Sequence, residues 1–413
     1  MDEPLISVGI LHAPSVRFTL HSDYLSDGDV VTGEQEVVIH GGKLLWNGRE
    51  SDCFVFDAKD EDASFTLSDV TIGIDFHWER KEMQTFKGAL RVIMDDDAVC
   101  VVNVLPLEEY LKSVISSEMS STASLEFLKS HAIISRSWAL AQVRGVAGGG
   151  ETSNGVDTSD LHVRWYDHDA HSKFNVCADD HCQRYQGITR IKGDNAVEAV
   201  RATRGMVLMY DGEICDARFS KCCGGVMEEF QNCWEDKPKA YLRAVPDSVG
   251  GGKAFCDTTD KRILSQVLNG YDQETVNFFR WRQEYGVKEL SELIKRKSGV
   301  DFGDVVDLVP VKCGPSGRLV LLKIVGTKRM LTVGKELEIR KWLSDTHLYS
   351  SAFDVEKVVD DKGEVTRFVL NGRGWGHGVG LCQIGAAVMG DKGYGYDEIL
   401  AHYYPGSKIE RIY

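Results

Sequence analysis

The chain has 413 residues, enough for one large domain with insertions or for two to three smaller domains, each with its own core. Its formal net charge of −15 argues against general nucleic-acid binding, because phosphate contacts need clustered lysine and arginine. No apolar run approaches the ~18 residues of a membrane helix, and the start MDEPLISVGI lacks the charged and apolar regions of an export signal. The chain is therefore either cytosolic or numbered from a point after a removed signal.

Cysteine is frequent for a chain of this size, and the number of cysteines is odd. The eleven cysteines stand at positions 53, 100, 177, 182, 215, 222, 223, 233, 256, 313 and 382. At least one of them cannot pair within the chain. This pattern favours some buried free thiols plus a metal site over a full disulfide framework, and it leaves one or two bridges open.

The first hundred residues have the pattern of a β-rich segment. From Leu5 to Val104, runs such as ISVGIL, VRFTL, CFVF and AVCVVNVL are separated by Gly, Asp, Asn and Ser turns. We therefore predict a β-rich segment over residues 1–104 that leads directly into helices.

Two helices are predicted next. Pro106 suits the first position of a helix, and an apolar face follows that ends near Ser116. Serine and threonine then provide N-cap residues for a longer, largely apolar helix that is closed by Gly145. On this second helix Lys129 and Arg136 are seven residues apart, so both are expected on the same side.

Glu118 lies between the two predicted helices. A short connection between packed helices fixes a carboxyl group well, and the residue types around it would keep water away, which suits a general acid or base. A glutamate beside a helix end is more commonly a solvated surface acid. The residues alone leave both interpretations open.

A candidate metal site follows an irregular stretch over residues 145–175. His171, Cys177 and Cys182, with His181 as a reserve ligand, are close enough in sequence to surround one tetrahedral zinc ion. His168 is a further reserve ligand. The alternative is a surface loop with incidental histidine and cysteine, and a site with three protein ligands could also keep a water for chemistry.

The middle of the chain carries a turn of sequence SKCCGG that begins at Ser220. Its vicinal Cys222 and Cys223 could be a redox liability, metal ligands or simply buried thiols, the last being favoured because free cysteine behaves as a small hydrophobe. Residues 246–258 have the composition of a linker or exposed loop. Helices are predicted at 259–269 and 287–298, and alternating strands over 306–358.

Glycine dominates the segment from Gly372 to Gly380. Its glycines allow the chain to pass close to a ligand, so that Trp375 and His377 can project from a tight loop. Trp375 could stack on a sugar ring or serve as a core anchor, and His377 could form hydrogen bonds or transfer protons near neutral pH. A helix of small residues then starts close to Gln383.

Two long motifs resemble a known family. VNVLPLEEYLKSVISSEM followed by SLEFLKSHAIISRSWAL resembles the signature of the stage II sporulation protein D (SpoIID) family, and residues 372–413 resemble its C-terminal motif. The resemblance implies an α+β fold in four parts. These are a β-rich part (1–104), a catalytic helical and zinc-loop region (105–245), a linker with a β-rich insertion (246–365), and a glycine-rich motif that completes the groove (366–413).

The resemblance also implies an activity: a lytic transglycosylase that cleaves peptidoglycan between N-acetylmuramic acid and N-acetylglucosamine and forms a 1,6-anhydro product. Glu118 would be its catalytic acid and base, and one zinc ion, more structural than catalytic, would be held by His171, Cys177 and Cys182. Residues expected to bind the glycan are Lys129, Arg136, Ser220, Trp375, His377 and Gln383. The protein would be exported to the periplasm or cell envelope.

Two other functions remain open at this stage. Some SpoIID relatives bind a cell-wall amidase and raise its activity, so the groove could bind glycan without cutting it. A zinc hydrolase centred on His171 and Cys177 is a weaker alternative, because the HExxH arrangement is lacking.

Overall fold

The computed structural model describes residues 2–73, 79–120, 122–145, 154–166, 171–179, 181–267 and 277–413. It has 24% helix and 40% strand, which confirms the predicted mixed α+β class. His168, the reserve metal ligand, lies outside the described residues. Of the helices in the described ranges, none is long and apolar enough to cross a membrane.

The described strands and helices occupy the following ranges. The strands are β1 (Leu5–Ala13), β2 (Ser15–Ser26), β3 (Asp29–His40), β4 (Lys43–Trp46), β5 (Arg49–Ser51), β6 (Cys53–Ala58), β7 (Ser64–Ile72), β8 (Arg80–Lys87), β9 (Ala89–Asp95), β10 (Ala98–Pro106), β11 (Gly155–Asp157), β12 (Leu161–Arg164), β13 (Val176–Cys177), β14 (Met206–Tyr210), β15 (Glu213–Ile214), β16 (Phe219–Ser220), β17 (Arg280–Gly286), β18 (Val305–Cys313), β19 (Leu319–Gly326), β20 (Met330–Gly334), β21 (Phe353–Val359), β22 (Val365–Arg373), β23 (Leu381–Cys382) and β24 (Lys408–Arg411). The helices are α1 (Leu107–Glu118), α2 (Leu125–Gly145), α3 (Asn195–Ala202), α4 (Phe230–Cys233), α5 (Lys261–Val267), α6 (Val287–Ser298), α7 (Glu336–Trp342), α8 (Gln383–Asp391) and α9 (Tyr396–Tyr403).

The chain divides into two compact units. The first comprises Met1–Gly148, His168–Leu208 and Ile409–Tyr413, and the second comprises Gly149–Asp167 and Met209–Lys408. The first unit therefore combines the predicted β-rich segment, the predicted helix pair and the predicted metal loop.

Eleven of the described strands form one sheet in the first unit. Its order is β13-β1-β10-β9-β6-β2-β3-β4-β5, with β7 paired to β2 and β8 paired to β7. β1 pairs antiparallel with β10 on one side and parallel with β13 on the other, where Gly9 faces Cys177. This edge strand brings the predicted metal loop onto the sheet.

The helix pair follows β10 without a loop. Pro106 ends β10 and occupies the N-cap position of α1, because its fixed φ of −58° suits both elements. The helix therefore begins at Leu107, one residue later than predicted. α1 continues to Glu118 rather than ending near Ser116, and the N–H of Met119 still donates to the carbonyl of Ile115. Glu118 is therefore the last helical residue and is not part of a free connection.

The second unit contains several smaller sheets. β11-β12-β20-β19-β18 form a sheet of five described strands, β17-β22-β21 form a second sheet, and β16 pairs in parallel with β23. The predicted strands within 306–358 and the predicted helices at 259–269 and 287–298 are present as β18 to β21, α5 and α6. Leu290, Leu322, Trp342 and Phe368 are among the buried residues of a shared core.

Residues 246–258 are not an exposed linker. Asp247 is 0% exposed and Cys256 is 1% exposed. The N–H of Phe255 donates to the carbonyl of Asp247, which closes the loop on itself. The glycines at 250 to 252 produced the linker-like composition, but the two ends of this segment are packed inside the second unit.

Candidate active site

Glu118 ends α1 in a nearly enclosed position. The residue is 8% exposed, and the following Met119 is 2% exposed. Oε1 of Glu118 accepts a hydrogen bond of 3.2 Å from the backbone N–H of Arg184. The carboxylate is therefore oriented by a backbone donor, which suits a group that must stay in place during proton transfer.

The segment that carries this donor is bound to α1 itself. The Tyr110 hydroxyl donates to Oε1 of Gln183 at 3.1 Å, and the Ser113 hydroxyl donates to the carbonyl of Gly187 at 2.8 Å. The rings of Tyr110 and Tyr185 stack with centroids 5.2 Å apart. One face of α1 therefore fixes both Glu118 and the residues that approach it.

Tyr110 also feels the charges of both Glu118 and the metal loop. Burial raises the pKa of Tyr110 well above its ordinary value, and the nearby Cys182, Cys177 and Glu118 raise it further. The phenol therefore keeps its proton and remains a donor. Tyr110 and Arg184 did not stand out in the sequence, because a tyrosine on an apolar helix face and a backbone N–H carry no distinctive signal.

The predicted metal ligands converge. One ligand atom from each of His171, Cys177, His181 and Cys182 lies within 4.8 Å of all the others. Sγ of Cys182 is 3.5 Å from Nε2 of His171 and 3.5 Å from Nδ1 of His181. A tetrahedral zinc with its usual bond lengths separates sulfur and nitrogen ligands by about 3.5 Å, so the residues present fit the ion.

Cys177 of this cluster favours the thiolate form. Hydrogen bonding with Cys182, and then with His171 and His181, holds the pKa of Cys177 well below its ordinary value despite burial. The N–H of Cys177 donates to Sγ of Cys182 at 3.4 Å. Thiolates are the form that binds metal. His181, named as a reserve ligand, is close enough to serve as the fourth.

A cavity of about 850 Å³ adjoins the cluster. Its lining includes His171, Cys177, His181 and Arg184, together with residues of β1 and β7. Arg184 therefore both lines this cavity and donates its N–H to Glu118.

Arg136 is buried in an ion pair, which differs from the groove-facing position expected from its spacing. The side chain is 0% exposed and forms a two-pronged ion pair with Glu108, with both N–O distances 2.8 Å. Its Nη1 also donates to the carbonyl of Met206 at 3.0 Å. Lys129 is 18% exposed and pairs with Glu126 on its own helix at 2.7 Å. The seven-residue spacing predicted Lys129 and Arg136 on one side of α2, but it did not show whether that side faces the protein interior.

Four of the predicted glycan-binding residues belong to the second unit. Ser220 on β16 lies opposite Cys382 on β23, and Trp375 forms an antiparallel bridge with Cys222. The indole of Trp375 is partly exposed, with ring centroids 4.6 Å from Tyr349 and 4.9 Å from Phe278. Ser220, 7% exposed, has a hydroxyl without a hydrogen-bond partner among the described residues.

His377 is partly exposed, but it is less suited to proton transfer than predicted. Burial, and then the charges of Arg218 and Arg318, lower the pKa of His377 to about 3, so proton transfer near neutral pH is not expected of it. Its Nδ1 accepts the N–H of Val379 at 3.0 Å. Gln383 is 2% exposed at the start of α8. Glu118 and this group lie in different units, so the groove expected between them remains a prediction.

Comparison with known proteins assigns a family to part of the chain. Residues 95–210 match the family model for stage II sporulation protein. These residues of the chain therefore carry a SpoIID domain. The match covers β10, α1, α2, the metal loop and α3, and so contains both Glu118 and its Arg184 donor. Residues 228–380 match a second model, described as a domain of unknown function (DUF8618).

Relatives of the chain cover most of its length. An uncharacterized protein of Brachyspira hyodysenteriae is 26% identical over 92% of this chain and 83% of its own length. Stage II sporulation protein D of Bacillus amyloliquefaciens is 25% identical over 75% of each chain. The amidase enhancer of Bacillus subtilis is 24% identical over 72% of this chain, which spans 40% of that protein.

Proposed function

We propose that this protein is a cell-wall enzyme, a lytic transglycosylase that cuts peptidoglycan glycan strands with Glu118 as its catalytic acid and base. The observation that carries the proposal is the nearly enclosed Glu118 carboxylate, fixed by the Arg184 N–H. The relatives named for sporulation and amidase enhancement support a role at the cell wall. The protein would act after export, in the periplasm or cell envelope.

A single carboxyl group is sufficient for this reaction. Glycoside hydrolases normally use two carboxylates, one as acid and one as base or nucleophile. In the proposed reaction Glu118 protonates the glycosidic oxygen, and its carboxylate then takes the proton from the 6-hydroxyl of the muramic acid. That hydroxyl attacks within the same molecule, which gives a high effective concentration without a bound water.

The other acid buried on α1 is occupied by structural contacts. Glu108 accepts hydrogen bonds from Arg136 and Gly205, and from the Tyr413 hydroxyl at 2.6 Å. Although burial opposes the shift, these contacts hold the pKa of Glu108 below its ordinary value. A group held as a carboxylate in an ion pair is a poor proton donor, which leaves Glu118 as the acid of this helix.

The loop over residues 171–182, beside Glu118, would be ordered by a bound metal ion. His171, Cys177, His181 and Cys182 would hold one zinc ion, whose contribution is to fix an otherwise irregular segment. Ser220 and Trp375 remain the candidates for glycan contact in the second unit, since both keep an unsatisfied or accessible group.

The test of catalysis is a comparison of Glu118→Gln with Glu109→Gln. Both change one acid of α1 into its amide, but Glu109 is partly exposed and paired with Lys112. Purified glycan strands would be digested, and 1,6-anhydro-muramyl products would be measured by mass spectrometry. We expect Glu118→Gln to lose about 10² to 10⁴-fold of the activity and Glu109→Gln to keep it. Unchanged release by Glu118→Gln would refute the assignment.

A non-catalytic amidase enhancer is the second candidate, favoured by the name of the Bacillus subtilis relative. It predicts that the wild type releases no anhydro product but accelerates a purified N-acetylmuramoyl-L-alanine amidase. The Glu118→Gln variant would then stimulate the amidase as well as the wild type does.

A further inference from the structure

A second group of potential metal ligands lies inside the second unit. Cys223, Asp247, Cys256 and Cys382 each contribute one ligand atom, all within 4.8 Å of one another, and all four residues are buried. They come from three separate parts of the chain: the SKCCGG turn, the loop over residues 246–258 and the start of α8. Their convergence is therefore a product of the fold.

The sulfur separation matches a shared ion rather than a bond between sulfurs. Sγ of Cys223 lies 3.7 Å from Sγ of Cys256. Two thiolates on one tetrahedral zinc are separated by about 3.7 Å, given the usual zinc–sulfur bond length. A disulfide would require a separation of about 2.05 Å.

Backbone N–H groups are directed at the sulfurs. The N–H of Cys223 donates to Sγ of Cys382 at 3.3 Å, and the N–H of Gly225 donates to Sγ of Cys223 at 3.4 Å. Cys382 is also the N-cap residue of α8, where the positive end of a helix favours an anion. Such donors stabilise thiolates, the form that binds a metal ion.

The carboxylate is held in place as a metal ligand usually is. Oδ1 of Asp247 accepts the Tyr403 hydroxyl at 2.7 Å, and Oδ2 accepts the N–H of Cys256 at 2.7 Å. Outer hydrogen bonds of this kind orient ligating carboxylates. Arg318, 1% exposed, donates to the carbonyl of Cys223 at 3.1 Å and so fixes the turn that carries the thiol.

We propose that Cys223, Asp247, Cys256 and Cys382 form a second metal site, closed and structural, for one soft divalent cation of the zinc type. Three thiolates favour a soft ion, and four ligands in a buried tetrahedral arrangement are typical of structural zinc. Binding would release the protons of the three thiols. The ion would join the SKCCGG turn, the loop over residues 246–258 and α8.

The test separates the two sites by counting zinc in the full chain. Elemental analysis of the Cys177→Ser, Cys182→Ser variant, which removes two ligands of the first cluster, should find about one zinc per chain. Adding Cys223→Ser and Cys256→Ser should remove it. Adding Cys215→Ser instead should not, although Cys215 is an equally buried thiol of the same unit. Zinc that persists without Cys223 and Cys256 would overturn the proposal.

A second measurement leaves the second unit without substitutions. The Cys177→Ser, Cys182→Ser variant would be loaded with cobalt(II), whose thiolate complexes absorb strongly in the near ultraviolet and show tetrahedral bands in the visible. We expect both signals at one equivalent of cobalt. Their absence would overturn the proposal, as would an intact mass that shows a Cys223–Cys256 disulfide. Neither result depends on Glu118 or on glycan cleavage, so this site and the proposed function fail separately.

The adjacent Cys222 provides a control on the ligand set. It is fully buried, and its thiol contacts those of Cys256 and Cys382, but it is not one of the four grouped ligands. In the same background, Cys222→Ser should keep the zinc and Asp247→Asn should weaken its retention against a chelator. Loss of zinc from Cys222→Ser alone would overturn the assignment of Asp247 as the fourth ligand.

Discussion

The backbone N–H of Arg184 donates to Oε1 of Glu118 across 66 residues of sequence. Arg184 comes two residues after Cys182, one of the converging ligands of the first cluster. The position of this donor therefore depends on the order of the segment from His171 to Arg184. A change in the conformation of the metal loop should therefore displace the Arg184 N–H and so affect the Glu118 carboxylate.

The first prediction concerns Cys177→Ser combined with Cys182→Ser. This variant should lose the zinc of the first cluster and show a lower kcat, with glycan binding changed less. The physical reason is that a hydrogen bond to a charged group contributes about 1.5–3 kcal/mol, so a displaced Arg184 N–H corresponds to roughly a 10 to 100-fold loss. Anhydro-product release and binding to denuded glycan would be measured separately.

The control for that variant is Cys53→Ser, because Cys53 is also a partly buried free thiol of the first unit. It should retain both zinc and turnover. Zinc loss from the double variant with unchanged kcat would show that the ion lies remote from catalysis and that the Arg184 donor keeps its place without it.

Much of the first unit follows from local sequence patterns. Alternating strands, N-cap residues and helical spacing predicted the β-rich start and the pair α1 and α2, because these signals act over a few residues. The convergence of the side chains from His171 to Cys182 could also be predicted, since they lie in one short segment. The Glu118–Arg184 hydrogen bond could not be predicted, because it joins a side chain to a backbone group that is distant in sequence.

The second unit shows why long-range pairing escapes sequence reasoning. Cys223 and Cys382 are brought together by the parallel pairing of β16 and β23, which no local pattern specifies. Asp247 lies in a stretch whose glycines indicated an exposed linker. A buried ion pair presents the same difficulty: Arg136 is matched by Glu108 on the preceding helix, 28 residues away.

The second prediction is that Arg136→Ala destabilises the protein strongly. It would leave the buried Glu108 carboxylate without its cation, and breaking a buried pair in this way costs about 3–5 kcal/mol. Removing the partly exposed Glu109–Lys112 pair of α1 with alanine should cost about 1 kcal/mol or less. Urea unfolding of both variants provides the comparison. Normal stability with impaired glycan binding would restore a substrate role for Arg136.

The third prediction follows from the pKa of His377, lowered to about 3 from an ordinary value of 6.5, first by burial. Between these values the unfolded chain binds a proton at this histidine and the folded chain does not, so folding stability falls as the pH falls from 6.5 towards 3. His377→Gln should therefore show a shallower decline of melting temperature between pH 7 and pH 4 than the wild type. His40→Gln, at an exposed histidine, should decline as the wild type does. Equal slopes for all three would contradict the neutral state of His377.

The last prediction uses two glycines with similar backbone conformations but different surroundings. Gly378 has φ of 75° and Gly393 has φ of 90°, so alanine is strained at either position, by about 1–2 kcal/mol. A Cβ on Gly393 would meet nothing within 4 Å, whereas one on Gly378 would lie 2.4 Å from Cζ of Arg318. Arg318 cannot move away without cost, because it donates to the carbonyls of Gly376 and Cys223.

Gly378→Ala should therefore destabilise the protein by about 1–3 kcal/mol more than Gly393→Ala, the usual cost of forcing atoms into a packed interior. Thermal unfolding of the two variants measures the difference directly. Because Arg318 also fixes the turn that carries Cys223, Gly378→Ala should release zinc from the second site to a chelator faster than Gly393→Ala does. Equal melting temperatures would mean that Arg318 moves aside freely. The hydrogen bonds of Arg318 would then not hold the glycine-rich loop against the turn.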